Sequence, residues 1–158
     1  MPIRRFEDIQ AWQASRELVR MVYTASGQGQ FARDLRLASQ MQGAAVSVMS
    51  NIAEGFDAGS DAEFIRFLQY ARRSATEVQS QLYVALDTGY VNEESSRHLW
   101  EKATEAKKLI NAFIRYLRQS RAQGSGLEAK NSARRKTREK GITAPPDQGL
   151  TDQQTNGK

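Results

Sequence analysis

Four stretches of this chain repeat apolar side chains three or four positions apart, which is the spacing that lines one face of an α-helix. They cover residues 8–26, 32–54, 60–89 and 92–119. The three prolines lie outside all four stretches, and no segment alternates apolar and polar residues as a strand does. Because short loops between long helices make neighbouring helices antiparallel, the sequence predicts an all-α, up-down-up-down four-helix bundle.

The apolar positions of each stretch predict which side chains face the core. The third stretch is the most regular, since its apolar residues alternate four and three apart in the manner of a heptad repeat. The predicted core positions are Trp12, Ser15, Val19, Val22 and Ser26 in the first helix; Leu35, Ala38, Met41, Ala45, Val48 and Ile52 in the second; Phe64, Leu68, Ala71, Ala75, Val78, Leu82 and Ala85 in the third; and Leu99, Ala103, Ala106, Ile110, Phe113 and Leu117 in the fourth.

Residues that favour helix ends predict where these helices begin and stop. Asp8 and Asn92 are the expected N-caps of the first and fourth helices, because short polar side chains accept hydrogen bonds from free backbone N–H groups. Gly27 and Gly89 are expected to end the first and third helices, since glycine is favoured just past a helix C-terminus.

The segment AAVSVMSNIAEGFDAGSDAEF, residues 44–64, combines small residues with isolated polar ones. Gly55 is expected to follow the last turn of the second helix, and Ser60 with Glu63 to form a capping box at the start of the third. Asn51 and Glu54 are expected to anchor this joint by satisfying backbone groups at the helix ends. The segment therefore predicts a structural joint between two helices rather than an active site.

From residue 121 onward the helical pattern stops and the chain becomes polar and basic. Residues 1–120 contain 15 Lys and Arg against 14 Asp and Glu, a net charge of +1, whereas residues 121–158 contain 8 against 4, a net charge of +4. The second segment has too few large apolar side chains to offset an ordering entropy of roughly 1–2 kcal/mol per residue. We therefore expect a bundle over residues 1–120 and a disordered basic tail over residues 121–158.

The composition argues against most enzyme chemistry. Cysteine is absent, which excludes disulfides, zinc–thiolate sites and cysteine nucleophiles. His98 is the only histidine, and nothing near it in the sequence would orient it as a base. Because there is also no phosphate-binding loop, we expect a protein that is not an enzyme and uses no metal or other cofactor. No apolar run is long enough to span a bilayer and no signal peptide is evident, so we expect a cytoplasmic protein.

Basic residues recur outside the predicted core positions and form the candidate binding surface for RNA or DNA. The candidates are Arg16, Arg20, Arg66, Arg72, Arg73, Lys107, Lys108, Arg115 and Arg118 in the bundle, and Arg134, Arg135 and Lys136 in the tail. In a single copy they also fit a solvated face, neutralised by Glu17, Glu77, Glu101 and Glu105. A ring of several copies would repeat each small patch, and clustered positive charge is what phosphate binding needs.

Most aromatic residues lie at or next to the predicted core positions. They include Trp12, Tyr23, Phe31, Phe64, Phe67, Tyr70, Tyr83, Tyr90 and Trp100. This placement favours core packing or contacts between subunits over stacking on nucleic-acid bases.

Several motifs together resemble those of the four-helix bundle family of 23S rRNA intervening-sequence proteins, to which the accessory variability determinant proteins of diversity-generating retroelements are related. The combination of SNIAEG, then EF with FL, then a serine and glutamate before QL is specific. The matching segments are residues 6–18, 37–56 and 60–90 with the core positions of the fourth helix. The family often has basic residues just before the Ala44–Ala45 pair, where this chain has Gln42 and Gly43.

The resemblance implies a homo-oligomer, typically a pentameric ring, without known enzyme activity. The retroelement relatives are basic partners of a reverse transcriptase and bind nucleic acid. By resemblance, this chain is expected to bind RNA or DNA and to act beside a reverse transcriptase. The alternative is a structural or protein-interaction ring that does not contact nucleic acid and whose charges keep it in solution.

Overall fold

The computed structural model describes residues 3–123 of the chain. Within this range four long helices and two short 3-10 turns, but no β-strands, are present, which confirms the all-α prediction. The long helices are α1 (Gln10–Ser26), α2 (Leu35–Phe56), α3 (Asp61–Asp87) and α4 (Glu93–Ala122); the 3-10 turns are Phe6–Asp8 and Phe31–Arg33.

Each helix packs mainly on two neighbours, so that α1 and α3 occupy opposite corners of the bundle, as do α2 and α4. Short connections join consecutive helices. In α2 and α3, Ser47 lies beside Ser74 while Gly55, two turns further along α2, lies against Phe64, an earlier residue of α3. This order of contacts shows that α2 and α3 run antiparallel, which is consistent with the predicted up-down-up-down bundle.

The core runs along the bundle axis as two adjoining apolar clusters. One contains Leu18, Val22, Met41, Val78 and Leu82, and the other contains Val48, Ile52, Phe64, Leu68 and Ile110. Every predicted core position of α3 is buried, as are all those of α2 except the first. The heptad-like pattern therefore locates the inner face of the long helices correctly.

Three of the five predicted core positions of α1, namely Ser15, Val22 and Ser26, are buried, and two are not. Ala11 and Leu18 are buried, whereas Trp12 and Val19 are only half-buried. Trp12 instead packs edge-on against Phe6, with ring centroids 5.2 Å apart, at the margin of the core. At positions 12 and 19 the preceding residue, Ala11 or Leu18, enters the core instead.

Two further predicted core positions lie at the surface or its margin. Leu35 is 75% exposed, since it is the first residue of α2 and precedes the turn that packs inward. Phe113 is half-buried, and the next residue, Ile114, fills the core instead. Phe113 still contacts the core because its ring meets Phe64 edge-on at 5.2 Å.

The N-cap predicted for α4 is confirmed, whereas the one predicted for α1 is wrong. The Asn92 side chain accepts a hydrogen bond from the Ser95 backbone N–H at 2.8 Å, which confirms the cap of α4. Asp8 does not cap α1: its carboxylate accepts from the backbone N–H groups of Arg4 and Arg5, at 3.0 and 3.2 Å. It thereby closes the preceding 3-10 turn, and α1 begins two residues later without a side-chain cap.

Gly55 has a role other than the predicted one. It lies inside α2, two residues before the Asp57 C-cap, and it is buried. A Cβ atom at this position would lie 2.5 Å from Cδ2 of Phe64 and 2.8 Å from Cβ of Phe67. Glycine is therefore required for the close approach of α2 and α3, and the helix ends without its help.

The other residues of the joint confirm part of the prediction. The Ser60 hydroxyl accepts from the Glu63 backbone N–H at 3.3 Å and caps α3, while the Glu63 carboxylate pairs with Arg66 at 3.7 Å rather than reaching back to close a capping box. Glu54 is exposed and forms no hydrogen bond or ion pair within residues 3–123, so it does not anchor the joint. Asn51 donates to the Ser47 carbonyl one turn back, at 2.8 Å.

The predicted tail lies almost entirely outside the described residues. α4 continues to Ala122, two residues past the predicted boundary at 120. Arg134, Arg135 and Lys136, the candidate binding residues of the tail, lie outside the described range. Within that range, each helix is too polar or too short to cross a lipid bilayer.

Candidate functional site

The candidate cations of the bundle do not gather into a single patch in one copy of the chain. Arg16 and Arg20 lie on α1, whereas Arg66, Arg72 and Arg73 lie on α3 at the opposite corner. The remaining candidates, Lys107, Lys108, Arg115 and Arg118, lie on α4, which packs on both α1 and α3. What distinguishes these cations is therefore whether a carboxylate neutralises their charge.

Carboxylates pair with Lys102 and, among the candidate cations, with Arg66, whose partner is Glu63 and not one of the four predicted. Lys102 lies between Glu17, at 2.6 Å, and Glu105, at 2.7 Å, and so consumes two of the four carboxylates expected to balance the candidate cations. Another of those four, Glu77, accepts a hydrogen bond from Gln81 at 3.2 Å instead of pairing with a cation. Three of the four carboxylates expected to neutralise the candidate cations therefore make their hydrogen bonds to other residues.

Arg72 and Lys107 are held in place by neutral oxygen atoms. Arg72 Nη1 donates to Oδ1 of Asn111 at 3.1 Å, and Lys107 Nζ donates to Oε1 of Gln79 at 3.0 Å. Neither cation has a carboxylate oxygen within 4.0 Å among residues 3–123. Both side chains are oriented between α3 and α4 while their positive charges remain available to an anion.

Gln79 is the residue that organises this arrangement, and sequence reasoning missed it. It is only 6% exposed, and its Nε2 donates to Oγ1 of Thr104 at 2.9 Å. The amide orientation is thereby fixed, so that its oxygen is presented to Lys107. The available signal was a glutamine directly beside the core residue Val78, on the flank that meets α4.

The basic surface continues along α4 past Asn111. Arg115 and Arg118 follow Asn111 by four and seven residues, which places them on the same side of the helix. Both are exposed and form no ion pair with residues 3–123. We call Arg72, Lys107, Arg115 and Arg118 the α3–α4 basic strip.

An aromatic pair lies on the same face, toward the start of α4. Tyr83 and Trp100 meet edge-on, with ring centroids 5.4 Å apart and an interplanar angle of 73°. Tyr83 is 58% exposed and Trp100 37%, so the pair lies outside the core. A surface groove of about 270 Å³ adjoins it and is also lined by Leu82, Leu86, Glu93, Ser96 and Arg97.

Polar residues from α2 and α3 form a separate groove on another face, with a volume of about 520 Å³. Its lining residues are Ser47, Asn51, Tyr70, Arg73, Ser74 and Glu77. The Ser47 and Ser74 hydroxyls hydrogen-bond across the helices at 2.9 Å, and Asn51 donates to Ser47 as well. Asn51 of the SNIAEG segment thus lies in the same groove as Ser74 and Glu77 of α3.

His98 lies in an open groove of about 580 Å³ between α1 and α4, together with Glu17 and Arg20. Its side chain is exposed, and no hydrogen bond from within residues 3–123 orients it. Within residues 3–123, no three His, Asp or Glu side chains lie close enough together to hold a metal ion. The described residues provide no assembled set of catalytic groups at this histidine.

The Glu17–Lys102–Glu105 cluster predicts a pH-dependent contribution to stability. The hydrogen bond from Lys102 lowers the pKa of Glu17, and hydrogen bonds to Glu105 and Glu17 raise the pKa of Lys102. The Glu17 contribution is present above the ordinary glutamate pKa and is lost as the pH falls through the lowered one. The Lys102 contribution is present below the ordinary lysine pKa and is lost as the pH rises through the raised one.

We therefore expect Lys102→Gln to lower the Tm slightly near pH 7, because pairs with exposed carboxylates contribute little. The Tm difference between wild type and variant should shrink as the pH falls below the ordinary pKa of Glu17. Lys108→Gln is the control, because Lys108 is exposed and forms no ion pair with a carboxylate of α4. This substitution should leave the pH profile unchanged. A difference from wild type that persists undiminished in acid would contradict this assignment.

Comparisons with known proteins agree with this architecture. The family model described as 23S rRNA-intervening sequence protein matches residues 7–112. A structure solved at 1.70 Å, described as a protein with unknown function from the S23 ribosomal protein family of Bacteroides thetaiotaomicron VPI-5482, is 26% identical, with a TM-score of 0.61. The match covers 66% of this chain and 95% of that one. No curated protein matches the chain.

Proposed function

The chain belongs to the 23S rRNA-intervening sequence protein family, and on this basis we propose that it is a non-enzymatic, oligomeric protein that binds RNA or DNA through basic surfaces. The proposal places it in the cytoplasm as a homo-oligomer, a pentamer by resemblance to the family. It also includes a reverse transcriptase as protein partner, which would make the chain an accessory factor of a retroelement.

One observation carries the proposal: Arg72 and Lys107 are oriented by amide oxygens and not by carboxylates. A cation that is already paired with a carboxylate is partly neutralised, which weakens its attraction for a phosphate. A cation held by a neutral group can bind directly, forming a charge-assisted hydrogen bond and releasing counterions from the nucleic acid. These two residues are therefore the strongest candidates in the described part of the chain for phosphate contacts.

Arg115 and Arg118 extend the same surface by two helical turns along α4. In one copy the basic strip is small, and the bundle over residues 1–120 has a net charge of only +1. Repetition of the strip in an oligomer would multiply the phosphate contacts without requiring a larger excess of charge in each copy. The proposal thus links the binding surface to assembly.

The test uses the full chain and fluorescence anisotropy with labelled RNA and DNA at low salt, near 50 mM. Replacing Arg72 and Lys107 together with glutamine should weaken binding by about 100-fold or more, since hydrogen bonds to charged groups contribute about 1.5–3 kcal/mol each. Glutamine keeps a polar side chain at both positions, so the loss would report on charge.

The matched control replaces Arg33 and Arg36 with glutamine, an equal charge change at the start of α2, which does not pack closely on α4. Affinity should change much less in this control. Absence of binding by the wild-type oligomer at low salt would refute the proposal. It would favour the alternative of a structural or protein-interaction ring.

A further inference from the structure

We propose that the face between α3 and α4 binds single-stranded nucleic acid, with bases stacking on Tyr83 and Trp100 and the adjoining phosphates on Lys107 and Arg72. This inference rests on the proposed function and specifies both the strand form and the contact residues. It assigns to Tyr83 and Trp100 a role that the sequence did not favour for them.

The aromatic pair lies at the surface, with Tyr83 58% exposed and Trp100 37% exposed. Trp100 and Tyr83 contact each other edge-on, so at least one ring keeps its π-face free of its partner. Core-facing neighbours, Leu82 and Leu99, anchor the two helices at this point, with exposures of 1% and 2%. Two large aromatic side chains are thus held at the surface by a rigid support, as in protein platforms on which bases stack.

The groove beside this pair offers the contacts that a stacked nucleotide needs. Leu86 contributes apolar surface, and Ser96 and Glu93 line the groove with hydrogen-bonding side chains. A carboxylate can accept a hydrogen bond from a base amino group. Arg97 also lines the groove. It supplies a cation on the side of the aromatic pair that is away from the basic strip.

The spacing along α4 connects the aromatic pair to the cations. Trp100 precedes Lys107 by seven residues and Asn111, the partner of Arg72, by eleven. At a rise of 1.5 Å per residue these intervals are about 10 and 16 Å. An extended strand of a few nucleotides could therefore contact the rings and both unneutralised cations at once.

The presence of exposed rings in line with cations favours single strands over duplexes. In a duplex the bases are paired and stacked on one another, so their faces are not available to side chains. In a single strand they are free to stack on aromatic rings while the backbone follows a positively charged groove. Cations alone would bind a duplex equally well, so the preference for single strands comes from Tyr83 and Trp100.

The test compares a single-stranded oligonucleotide of about 16 nucleotides with a blunt duplex of the same sequence, using the full chain. The double change Tyr83→Leu and Trp100→Leu should weaken single-strand binding by roughly fivefold or more, since each base stacked on an aromatic residue contributes roughly 5- to 150-fold. Duplex binding should be nearly unchanged. The variant Tyr83→Phe with Trp100→Phe keeps both ring faces and should retain most of the single-strand affinity.

Tyr23→Leu is the matched control, because Tyr23 is also about half exposed but lies on α1, at the corner opposite α3. It should leave binding of both forms unchanged. Light scattering should give the same subunit number for wild type and for the leucine double variant. A change in subunit number would overturn the inference, because it would place the pair in a subunit contact.

A second measurement uses the natural fluorescence of Trp100. In Trp12→Phe it is the sole tryptophan, and stacking of a base should quench it as single strands are added. No quenching, or equal loss of duplex and single-strand binding in the leucine variant, would overturn the inference while leaving the proposed function intact. Absence of any binding by the wild type would instead refute the proposed function itself.

Discussion

Phe64→Ala is expected to destabilise the bundle by about 3–5 kcal/mol, the usual cost of removing a phenylalanine from a core. Phe64 is 1% exposed and its ring meets two others edge-on, Phe113 at 5.2 Å and Phe56 at 6.4 Å. It therefore joins α3 to both α4 and the end of α2. Its removal would leave a cavity at the point where three of the four helices converge.

Chemical denaturation followed by far-ultraviolet circular dichroism measures this loss. Phe67→Ala is the control, because Phe67 lies one turn along the same helix and is only half-buried. The control should lose considerably less stability, since part of its ring is already in water. Similar losses in both variants would contradict the placement of Phe64 at the centre of the helix contacts.

Gly55→Ala is expected to destabilise the bundle by about 1–3 kcal/mol, although alanine favours a helix over glycine by about 1 kcal/mol. The added Cβ would lie 2.8 Å from Cβ of Phe67, an atom so near the backbone that α2 and α3 would have to separate. It would also lie 2.5 Å from the ring of Phe64. The strain of overpacking should therefore exceed the gain in helix propensity.

Gly43→Ala supplies the matched control for this second prediction. Gly43 lies in the same helix, is exposed, and has no atom within 4 Å of the position its Cβ would take. Here alanine should stabilise the protein by about 0.5–1 kcal/mol, so the two substitutions should have opposite signs. If Gly55→Ala also raised the Tm, α2 and α3 could not be as close as described.

The helices of the bundle were predictable because long apolar repeats record a buried face directly. This worked best for α3, where Phe64, Leu68 and Val78 are all buried as expected. In α1 it located Ser15, Val22 and Ser26 but was wrong at Trp12 and Val19, where Ala11 and Leu18 are buried instead. Small residues leave a weak signal in a sequence even where they set the spacing between helices.

Gly55 shows a second limit of sequence reasoning. A glycine near the end of an apolar stretch is as consistent with a helix end as with a close contact. The difference depends on Phe64 and Phe67, which come from the next helix and reach Gly55 only after the turn is built. The local pattern alone could not distinguish these two roles.

The candidate site was only partly predictable for a related reason. Arg72 and Lys107 could be named as exposed cations, but whether they are neutralised depends on partners from another helix. Those partners, Asn111 and Gln79, are 39 and 28 residues away in the sequence. The contact of Tyr83 with Trp100 likewise requires the register between α3 and α4. The charges and composition of the sequence do not determine that register.

The salt dependence of nucleic-acid binding tests the central claim most directly, namely that Arg72 and Lys107 contact phosphates. The logarithm of the association constant for a single strand, plotted against the logarithm of salt concentration, should have a negative slope in the wild type. The Arg72→Gln and Lys107→Gln double variant should give a slope shallower by at least about 1.4, since each lost phosphate contact removes about 0.7. An unchanged slope in the variant would contradict the claim.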